Sequence, residues 1–243
     1  MNRLILGDCF EAMDSLIEEG VTVDFILTDP PYGVTANKED IPIPLPGLWA
    51  RFNRILKPNG AAALFAQGLF YVDLVNSNRQ NFRYDLIWDK VLSSGFLNAK
   101  RMPLRVHEQI AVFYRNAPTY NPQFTLGKPL HGRGTAYKNK AAVNQNYGDF
   151  GVAPDVRKGA RQKYPVSIIS RSKPHPAATR HPTEKSVEMC EWLIRTYTNE
   201  NETVLDCCMG CGTACAAAMN AGRNFIGIEK EEKYFKIAES RAV

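Results

Sequence analysis

The residues best suited to chemistry form one short run, Asp29-Pro30-Pro31-Tyr32, directly after a β-branched, apolar segment. An exocyclic amine of a nucleobase is a poor nucleophile, because its lone pair is delocalised into the ring. The carboxylate of Asp29 and the carbonyl of Pro30 could each accept one N–H and direct that lone pair at an electrophile. The prolines stiffen the turn, and Tyr32 offers a flat face for a stacked base. The run therefore predicts four catalytic residues that act by orientation and electrostatics.

A second run, from Asp206 to Thr213, predicts a cofactor site. A strand ends in Asp206, and the chain then passes through Gly210 and Gly212 and opens a helix. Glycines let the backbone approach a ligand, and a helix N-terminus presents unpaired N–H groups. The next strand ends in Glu229, whose carboxylate suits ribose hydroxyls. The spacings of a phosphate loop and of the dinucleotide fingerprint are missing. The run indicates an adenosyl-type cofactor, with a plain strand–helix turn as the alternative.

Both runs follow strands that the hydrophobic pattern predicts. Strands are predicted over residues 4–6, 21–27, 61–66, 84–88, 110–114, 203–206 and 224–229, and helices over 9–19, 49–56, 70–78, 184–196 and 214–221. Residues 33–47, rich in proline and charge, are predicted to form a loop. Strands that alternate with helices predict a mostly parallel α/β sheet with helices on both faces. Ligands bind such sheets beyond the carboxyl ends of the strands.

The composition favours one soluble domain with an inserted lobe. The chain has 243 residues, of which 44% are hydrophobic, enough for one sizeable core. No stretch resembles a membrane span or a secretory signal, so we expect a cytoplasmic protein without a membrane partner. Four of the six cysteines stand at positions 207, 208, 211 and 215. Cys208 and Cys211 have C-x-x-C spacing, but no second pair follows, so thiols rather than a metal site are expected.

Charge is distributed unevenly along the chain. Residues 83–180 hold 17 Lys and Arg against 5 Asp and Glu, whereas the rest hold 13 against 20. A basic middle predicts a surface that faces a polyanion, although a merely soluble basic surface would have the same composition. Periodicity disappears over residues 116–180, and structureless runs of such length are usually functional. We expect an inserted basic lobe there, between a catalytic half over 1–115 and a cofactor-binding half over 181–243.

Asp29-Pro30-Pro31-Tyr32, with Asp-x-x-x-Gly-x-Gly-Thr far downstream, resembles the motifs of the amino-methyltransferases of DNA. The order, with the catalytic motif first, is that of their β group. The segments 5–9, 88–90, 105–108 and 181–185 are also similar to family segments. The resemblance implies a Rossmann-like fold in circularly reordered form. It further implies site-specific methyl transfer from S-adenosylmethionine to N6 of adenine, in a base flipped out of double-stranded DNA.

The resemblance also assigns roles to individual residues. The acid Asp8 would contact the cofactor adenine, with capping of the helix that begins near Cys9 as the alternative. The signature His181-Pro182-Thr183-Glu184-Lys185 would hold the methionine part. The expected cofactor-binding residues are Asp8, Cys9, Asp29, His181, Thr183, Lys185, Asp206, Met209, Gly210, Gly212, Thr213 and Glu229. The basic lobe corresponds to the target-recognition region, with Lys128, Arg133, Lys138, Lys140, Arg157, Lys158, Arg161 and Lys163 expected to bind DNA.

Two features leave alternatives open. The N4-cytosine members of the family more often carry Ser at the first catalytic position, so Asp29 favours adenine over cytosine. Cys207 and Cys208 replace the Pro and Phe of the usual Asp-Pro-Phe run, which predicts weakened cofactor binding. A catalytically weak DNA-binding relic is therefore a second alternative. The resemblance implies a homodimer, but it identifies neither the target sequence nor a partner restriction endonuclease.

Overall fold

One large sheet organises the chain. The computed structural model describes residues 2–33, 41–129, 143–144, 148–149, 160–175, 179–181 and 184–241. The first five strands are β1 (Arg3–Leu6), β2 (Val23–Thr28), β3 (Leu56–Ala66), β4 (Phe82–Ser94) and β5 (Arg105–Tyr114). The next four are β6 (Thr125–Leu126), β7 (Val143–Asn144), β8 (Gly148–Asp149) and β9 (Gln162–Lys163), and the last three are β10 (Ile168–Ser170), β11 (Thr203–Asp206) and β12 (Asn224–Glu229). Eight of these strands form the sheet, in the order β1-β12-β11-β2-β3-β5-β4-β10.

The sheet is mostly parallel, as predicted. Strands β1, β12, β11, β2 and β3 pair in parallel, and β10 pairs in parallel with β4. Strand β5 runs antiparallel to its two neighbours, β3 and β4. Parallel strands are buried on both faces, which explains the continuous apolar run of Phe25, Ile26 and Leu27. The carboxyl ends of the parallel strands, and the start of β5, thus meet at one edge.

Helices cover both faces of the sheet. Helices α1 (Cys9–Glu18), α2 (Leu45–Ile55) and α3 (Gly68–Ser77) pack their apolar residues into one core. Helices α4 (Val187–Tyr197), α5 (Thr213–Asn220) and α6 (Glu232–Arg241) pack into a second core on the other face. Across the described part of the chain, no helix combines the length and the apolar content that spanning a membrane requires.

Several element boundaries differ from the prediction. Helix α2 begins at Leu45, inside the predicted loop, whose residues 34–40 lie outside the described part. Strand β3 was predicted over residues 61–66, but it begins at Leu56, directly after α2. Strands β4 and β5 reach well beyond the predicted cores as a long hairpin. Helix α6 was missed because most of its residues are polar.

The chain divides into two compact units. The larger comprises Met1–Asn121 and Val166–Val243, and the smaller comprises Pro122–Pro165. In the smaller unit β6 pairs with β9, β7 pairs with β8, and the rings of Phe124 and Tyr164 lie 5.0 Å apart. The basic segment predicted over 116–180 is wider than this unit, because β10 within it pairs with β4 of the main sheet.

Candidate active site

The carboxyl edge of the sheet surrounds a cavity of about 770 Å³. This volume is typical of small-molecule and cofactor sites. The structure brings the two chemistry-bearing runs together here. The predicted residues that line the cavity are Asp8, Cys9, Asp29, Pro30, Pro31, Tyr32, His181, Lys185, Asp206, Met209, Gly210, Thr213 and Glu229. Gly212 does not line it, and Thr183 lies outside the described residues.

The turn after β2 presents Asp29 and Tyr32 side by side. Thr28 ends the buried strand, and the two following prolines cannot continue its hydrogen-bond ladder. The Tyr32 hydroxyl donates a hydrogen bond to Asp29 Oδ1. The Tyr32 ring stacks on Phe70 of α3, with ring centroids 4.8 Å apart and planes inclined by 27°. Phe70, which the sequence did not single out, therefore fixes the plane in which Tyr32 can offer a stacking face.

The other oxygen of Asp29 faces a lysine. Lys185, in the segment just before α4, forms an ion pair with Asp29 Oδ2. The Lys185 ammonium also lies 3.3 Å from Glu108 Oε2, at the start of β5. Lys90, at the end of β4, lies 3.0 Å from Glu108 Oε1. The resemblance implies a cofactor contact for Lys185 and assigns no role to Glu108 or Lys90 individually, so this cluster of charges is a new observation.

Burial and charge set the ionisation of these groups. Burial raises the pKa of Asp29 above its ordinary value, while Lys185 opposes this shift and the negative charge of Glu108 adds to it. Burial also acts to raise the pKa of Glu108, but Lys185 and Lys90 outweigh it and hold that pKa below the usual range. The two carboxylates likewise outweigh burial and raise the pKa of Lys185. Lys185 is therefore a permanent cation next to Asp29.

The cofactor run forms a tight turn tied to the end of β12. The Gly210 N–H donates to Glu229 Oε2 at 2.8 Å, and the Glu231 N–H donates to Oε1 at 2.8 Å. Gly210 and Gly212 have φ values of 53° and 76°, a region that favours glycine. A Cβ at Gly212 would lie 2.8 Å from the Cβ of Ala238, so this glycine lets α6 approach the turn.

Asp206 is the buried acid at the end of β11. Its Oδ1 accepts a hydrogen bond from the Cys208 N–H at 3.1 Å. Burial raises the pKa of Asp206 to about 7, and the nearby charges of Asp29 and Glu229 contribute to this shift. This carboxyl therefore titrates near neutral pH, as carboxyls in functional cavities commonly do.

Asp8 caps helix α1 and also lines the cavity. Its Oδ1 accepts hydrogen bonds from the N–H groups of Phe10 at 2.8 Å and Glu11 at 3.3 Å, which caps α1. The side chain stands beside the end of β1, where the Gly7 N–H donates to the Glu229 carbonyl at 2.9 Å. Contact between Asp8 and a cofactor stays a prediction.

Thiols form part of the cavity wall. Cys207 is buried, with its Sγ 3.5 Å from Thr28 Oγ1 and 4.0 Å from the Sγ of Cys208. A hydrogen bond from Cys208 lowers the pKa of Cys9, whereas contacts with Cys207 and Cys9 raise that of Cys208. Small thiols thus stand where the resemblance predicts a proline and an aromatic ring.

Arg241 of α6 anchors the segment that carries His181 and Lys185. Arg241 forms an ion pair with Glu184 at 2.8 Å and donates to the Cys211 carbonyl at 3.1 Å. The His181 ring packs against Tyr234, with centroids 4.2 Å apart. Arg241 was not predicted as a site residue, because helix α6 was not predicted. This contact holds the lysine-bearing segment against the cofactor turn.

Three of the residues predicted to bind DNA are described, and all three lie in the smaller unit. Lys128 follows β6 and Lys163 lies in β9, while Arg161 precedes β9 and donates to the Gly127 carbonyl at 3.4 Å. Five lie outside the described residues, namely Arg133, Lys138, Lys140, Arg157 and Lys158.

The fold and the site define a Rossmann-like methyltransferase of the S-adenosylmethionine-dependent class, in circularly reordered form. Residues 23–240 match the N6/N4 methyltransferase family described as DNA methylase, and the chain belongs to that family. The predicted resemblance is confirmed, and the chain is a methyltransferase.

Individual relatives agree with this membership. The chain is 28% identical to YubD of Escherichia coli (strain K12), a methylase by name, over 99% of this chain and 90% of that protein. It is 25% identical to the type II methyltransferase M.HinfI of Haemophilus influenzae, over 99% and 68%. The crystal structure of an M1.HpyAVI complex with S-adenosylmethionine superposes with a TM-score of 0.67, at 26% identity over 99% of this chain and 98% of that chain.

Proposed function

We propose that this chain transfers a methyl group from S-adenosylmethionine to N6 of adenine, in a base flipped out of double-stranded DNA at a specific sequence. One observation carries the proposal. The turn Asp29–Tyr32 and the turn Asp206–Thr213 line the same cavity at the carboxyl edge of the sheet. An amine acceptor and a cofactor cradle in one cavity are what methyl transfer to an amino group requires.

The residues of the catalytic turn hold the target amine. Asp29 accepts one N–H and the Pro30 carbonyl accepts the other, so the nitrogen lone pair points into the cavity. Tyr32, supported by Phe70, stacks on the flipped base. S-Adenosylmethionine, when bound, would supply an electrophilic methyl group, and the broken methyl–sulfur bond would leave S-adenosylhomocysteine. The nitrogen releases one proton as it gains the methyl group, and Asp29 is the acceptor next to it.

The described residues of the other half fit the cofactor. The two backbone amides that bind Glu229 leave each carboxylate oxygen with acceptor capacity for ribose hydroxyls. Gly210 gives the backbone close access to the cavity, with the His181 ring nearest to it. We assign Asp8 and Cys9 to the adenine end, and His181 and Lys185 to the methionine end. Gly212 acts through its packing on α6.

Adenine is favoured by the carboxylate at position 29. The family includes N6 and N4 enzymes, and the cytosine members more often carry Ser at this position. N4 of cytosine is the alternative acceptor, because it is a similar amine. A weakly active DNA-binding relic is the other alternative, since Cys207 and Cys208 replace the usual Pro and Phe beside the cofactor turn.

DNA as the substrate is supported by the charge and apolar surface of the β4–β5 hairpin. From Lys90 to His107, both included, the chain carries four Lys and Arg and no acidic residue. Phe96 and Leu97, between the two strands, are 80% and 97% exposed. Apolar side chains flanked by cations are a common means of opening a duplex beside a flipped base. The predicted phosphate contacts of Lys128, Arg161 and Lys163, and a homodimer, belong to the same proposal.

The test uses purified protein, labelled S-adenosylmethionine and unmethylated genomic DNA. Mass spectrometry of the digested DNA identifies the modified nucleoside, and Asp29→Ala is the matched negative control. We expect N6-methyladenine that disappears with Asp29→Ala. N4-methylcytosine would keep the mechanism and overturn the choice of base. Isothermal titration of the cofactor runs in parallel, and neither binding nor transfer would favour the relic.

A further inference from the structure

Four charged side chains form a continuous row that leads away from the catalytic turn, in the order Asp29, Lys185, Glu108 and Lys90. Lys185 contacts Asp29 Oδ2 and lies 3.3 Å from Glu108 Oε2, and Lys90 lies 3.0 Å from Glu108 Oε1. They come from the end of β2, the segment before α4, the start of β5 and the end of β4. Four elements that are distant in sequence thus converge on one alternating row of charges.

This row is shielded from solvent. The side chains of Lys185 and Lys90 are 10% and 7% exposed, and those of Asp29 and Glu108 are 22% and 12% exposed. Removing charges from water is expensive, and a buried pair offsets that penalty only with good geometry. Surface salt bridges contribute little, but a buried row of this kind sets the charge state of its members.

The contact of Lys185 with Glu108 is longer than its contact with Asp29. Within the described residues Glu108 Oε2 has no aligned hydrogen bond, although the Lys185 ammonium is 3.3 Å away. Lys90 meanwhile occupies Oε1 and donates to Ser94 Oγ at 3.5 Å. Glu108 Oε2 is therefore a second acceptor available to Lys185 next to the one on Asp29.

The amine-binding role proposed for Asp29 makes two demands. Asp29 must be ionised, because a protonated carboxyl loses an acceptor. Its oxygens must also have capacity for an amine N–H, although Lys185 and Tyr32 already donate to them. A cation shared with a second carboxylate satisfies both demands, since it stabilises the negative charge without saturating Asp29.

We propose that Lys185 and Glu108 are positioning residues, in which Lys185 keeps Asp29 ionised and Glu108, held by Lys90, gives Lys185 a second acceptor besides Asp29. The inference rests on the proposed function, because it gives the charge of Asp29 a purpose in amine binding. It assigns to Lys185 a task in the catalytic half besides the cofactor contact expected from the sequence.

The directions of the effects follow from the groups around Asp29. Lys185 and the Tyr32 hydroxyl lower the pKa of Asp29, and Glu108 raises it. Asp206 of β11 and Cys190 of α4 also sense the charge of Asp29, and burial keeps Cys190 a thiol by raising its pKa. These neighbours are unchanged in the variants below. Removal of Lys185 therefore raises the pKa of Asp29, and removal of the Glu108 charge lowers it.

The first measurement needs neither cofactor nor DNA. Protein labelled with ¹³C at the aspartate carboxyl carbons is titrated by NMR, and the Asp29 signal is assigned by its loss in Asp29→Asn. We expect the Asp29 midpoint to move to higher pH in Lys185→Met and to lower pH in Glu108→Gln. Lys185→Arg retains the cation and should stay near the wild type. Lys57→Met, which breaks an ion pair with Asp24 near the amino end of β2, is the matched control and should leave the midpoint unchanged.

The second measurement is the pH profile of kcat for methyl transfer. The acid limb should follow the same two opposite shifts, and kcat at the wild-type midpoint should fall roughly fivefold or more in Lys185→Met. Midpoints that stay fixed while the rates fall at every pH would overturn the proposal. If wild-type protein transfers no methyl group, the proposed function fails, while the NMR titration still decides the charge relation.

Discussion

At the residue scale, three of the carboxyl groups that line the cavity, those of Asp29, Asp206 and Glu229, have their charges compensated by different means. Lys185 faces Asp29, backbone amides face Glu229, and the Cys208 amide and the Thr28 hydroxyl face Asp206. Burial raises the pKa of all three, and Asp206 reaches about 7. Asp206 therefore titrates near neutrality, and its ionisation opposes folding.

The stability of the cofactor-free protein should therefore depend on Asp206. The folded state binds a proton that the unfolded chain, with an ordinary pKa of 3.8, has already released. Stability then falls as pH rises from that value through about 7, by an amount on the order of a few kcal/mol. Asp206→Asn cannot ionise, and its oxygen can still accept from Cys208. We expect its Tm advantage over the wild type to grow by several degrees between pH 5 and pH 8, measured by thermal unfolding. Equal pH dependence in the two proteins would contradict the role of Asp206.

At the element scale, the close approach of β12, α5 and the cofactor turn depends on Gly227. A Cβ at this position would overlap Met209 Sδ and lie 2.6 Å from Cys215 Sγ. Gly227→Ala should lower the free energy of unfolding by about 1–3 kcal/mol, as overpacked cores do. It should also weaken cofactor binding, because Met209 lines the cavity. Chemical denaturation and isothermal titration measure the two effects.

Gly7→Ala is the control for stability, because a Cβ there meets nothing within 4 Å. Equal free energies of unfolding for the two alanine variants would show that the side chains of Met209 and Cys215 move aside without a loss of stability. The packing explanation for Gly227 would then be wrong.

The β4–β5 hairpin should matter for DNA and not for the cofactor. Phe96→Ser combined with Leu97→Ser removes the apolar pair between the two strands, and we expect the KM for DNA to rise about tenfold, because stacking contributes about 1–3 kcal/mol per base. Cofactor affinity should be unchanged. Val166→Ser is the control, since Val166 is 71% exposed and precedes β10, near the amino end of β4.

Size-exclusion chromatography tests whether this surface binds DNA or a second copy of the chain. A dimer that dissociates in the double variant, with DNA binding intact, would assign the hairpin to self-association.

At the scale of the whole molecule, sequence reasoning located the acids that end parallel strands. Apolar runs followed by Pro or Gly mark where such strands stop, so Asp29, Asp206 and Glu229 were expected at one edge. Glu108 was not predicted as a site residue, because its strand, β5, runs antiparallel and brings its first residues to that same edge. No local sequence pattern reveals the direction of a strand. The ion pair between Lys185 and Asp29 was not predicted, because the two residues are far apart in the sequence. Pairing across such separations depends on tertiary packing.

The late position of β11 in the sequence has a consequence for synthesis on the ribosome. In the described sheet β11 lies between β12 and β2, and β1 is bonded to β12. Until Thr203–Asp206 and Asn224–Glu229 have emerged, β2 presents an open edge and β1 lacks its partner. Unpaired apolar edges invite association with other chains. The nascent chain thus depends on β11 and β12 to close the sheet, and we expect its unpaired edges to stay open to association until both strands have emerged.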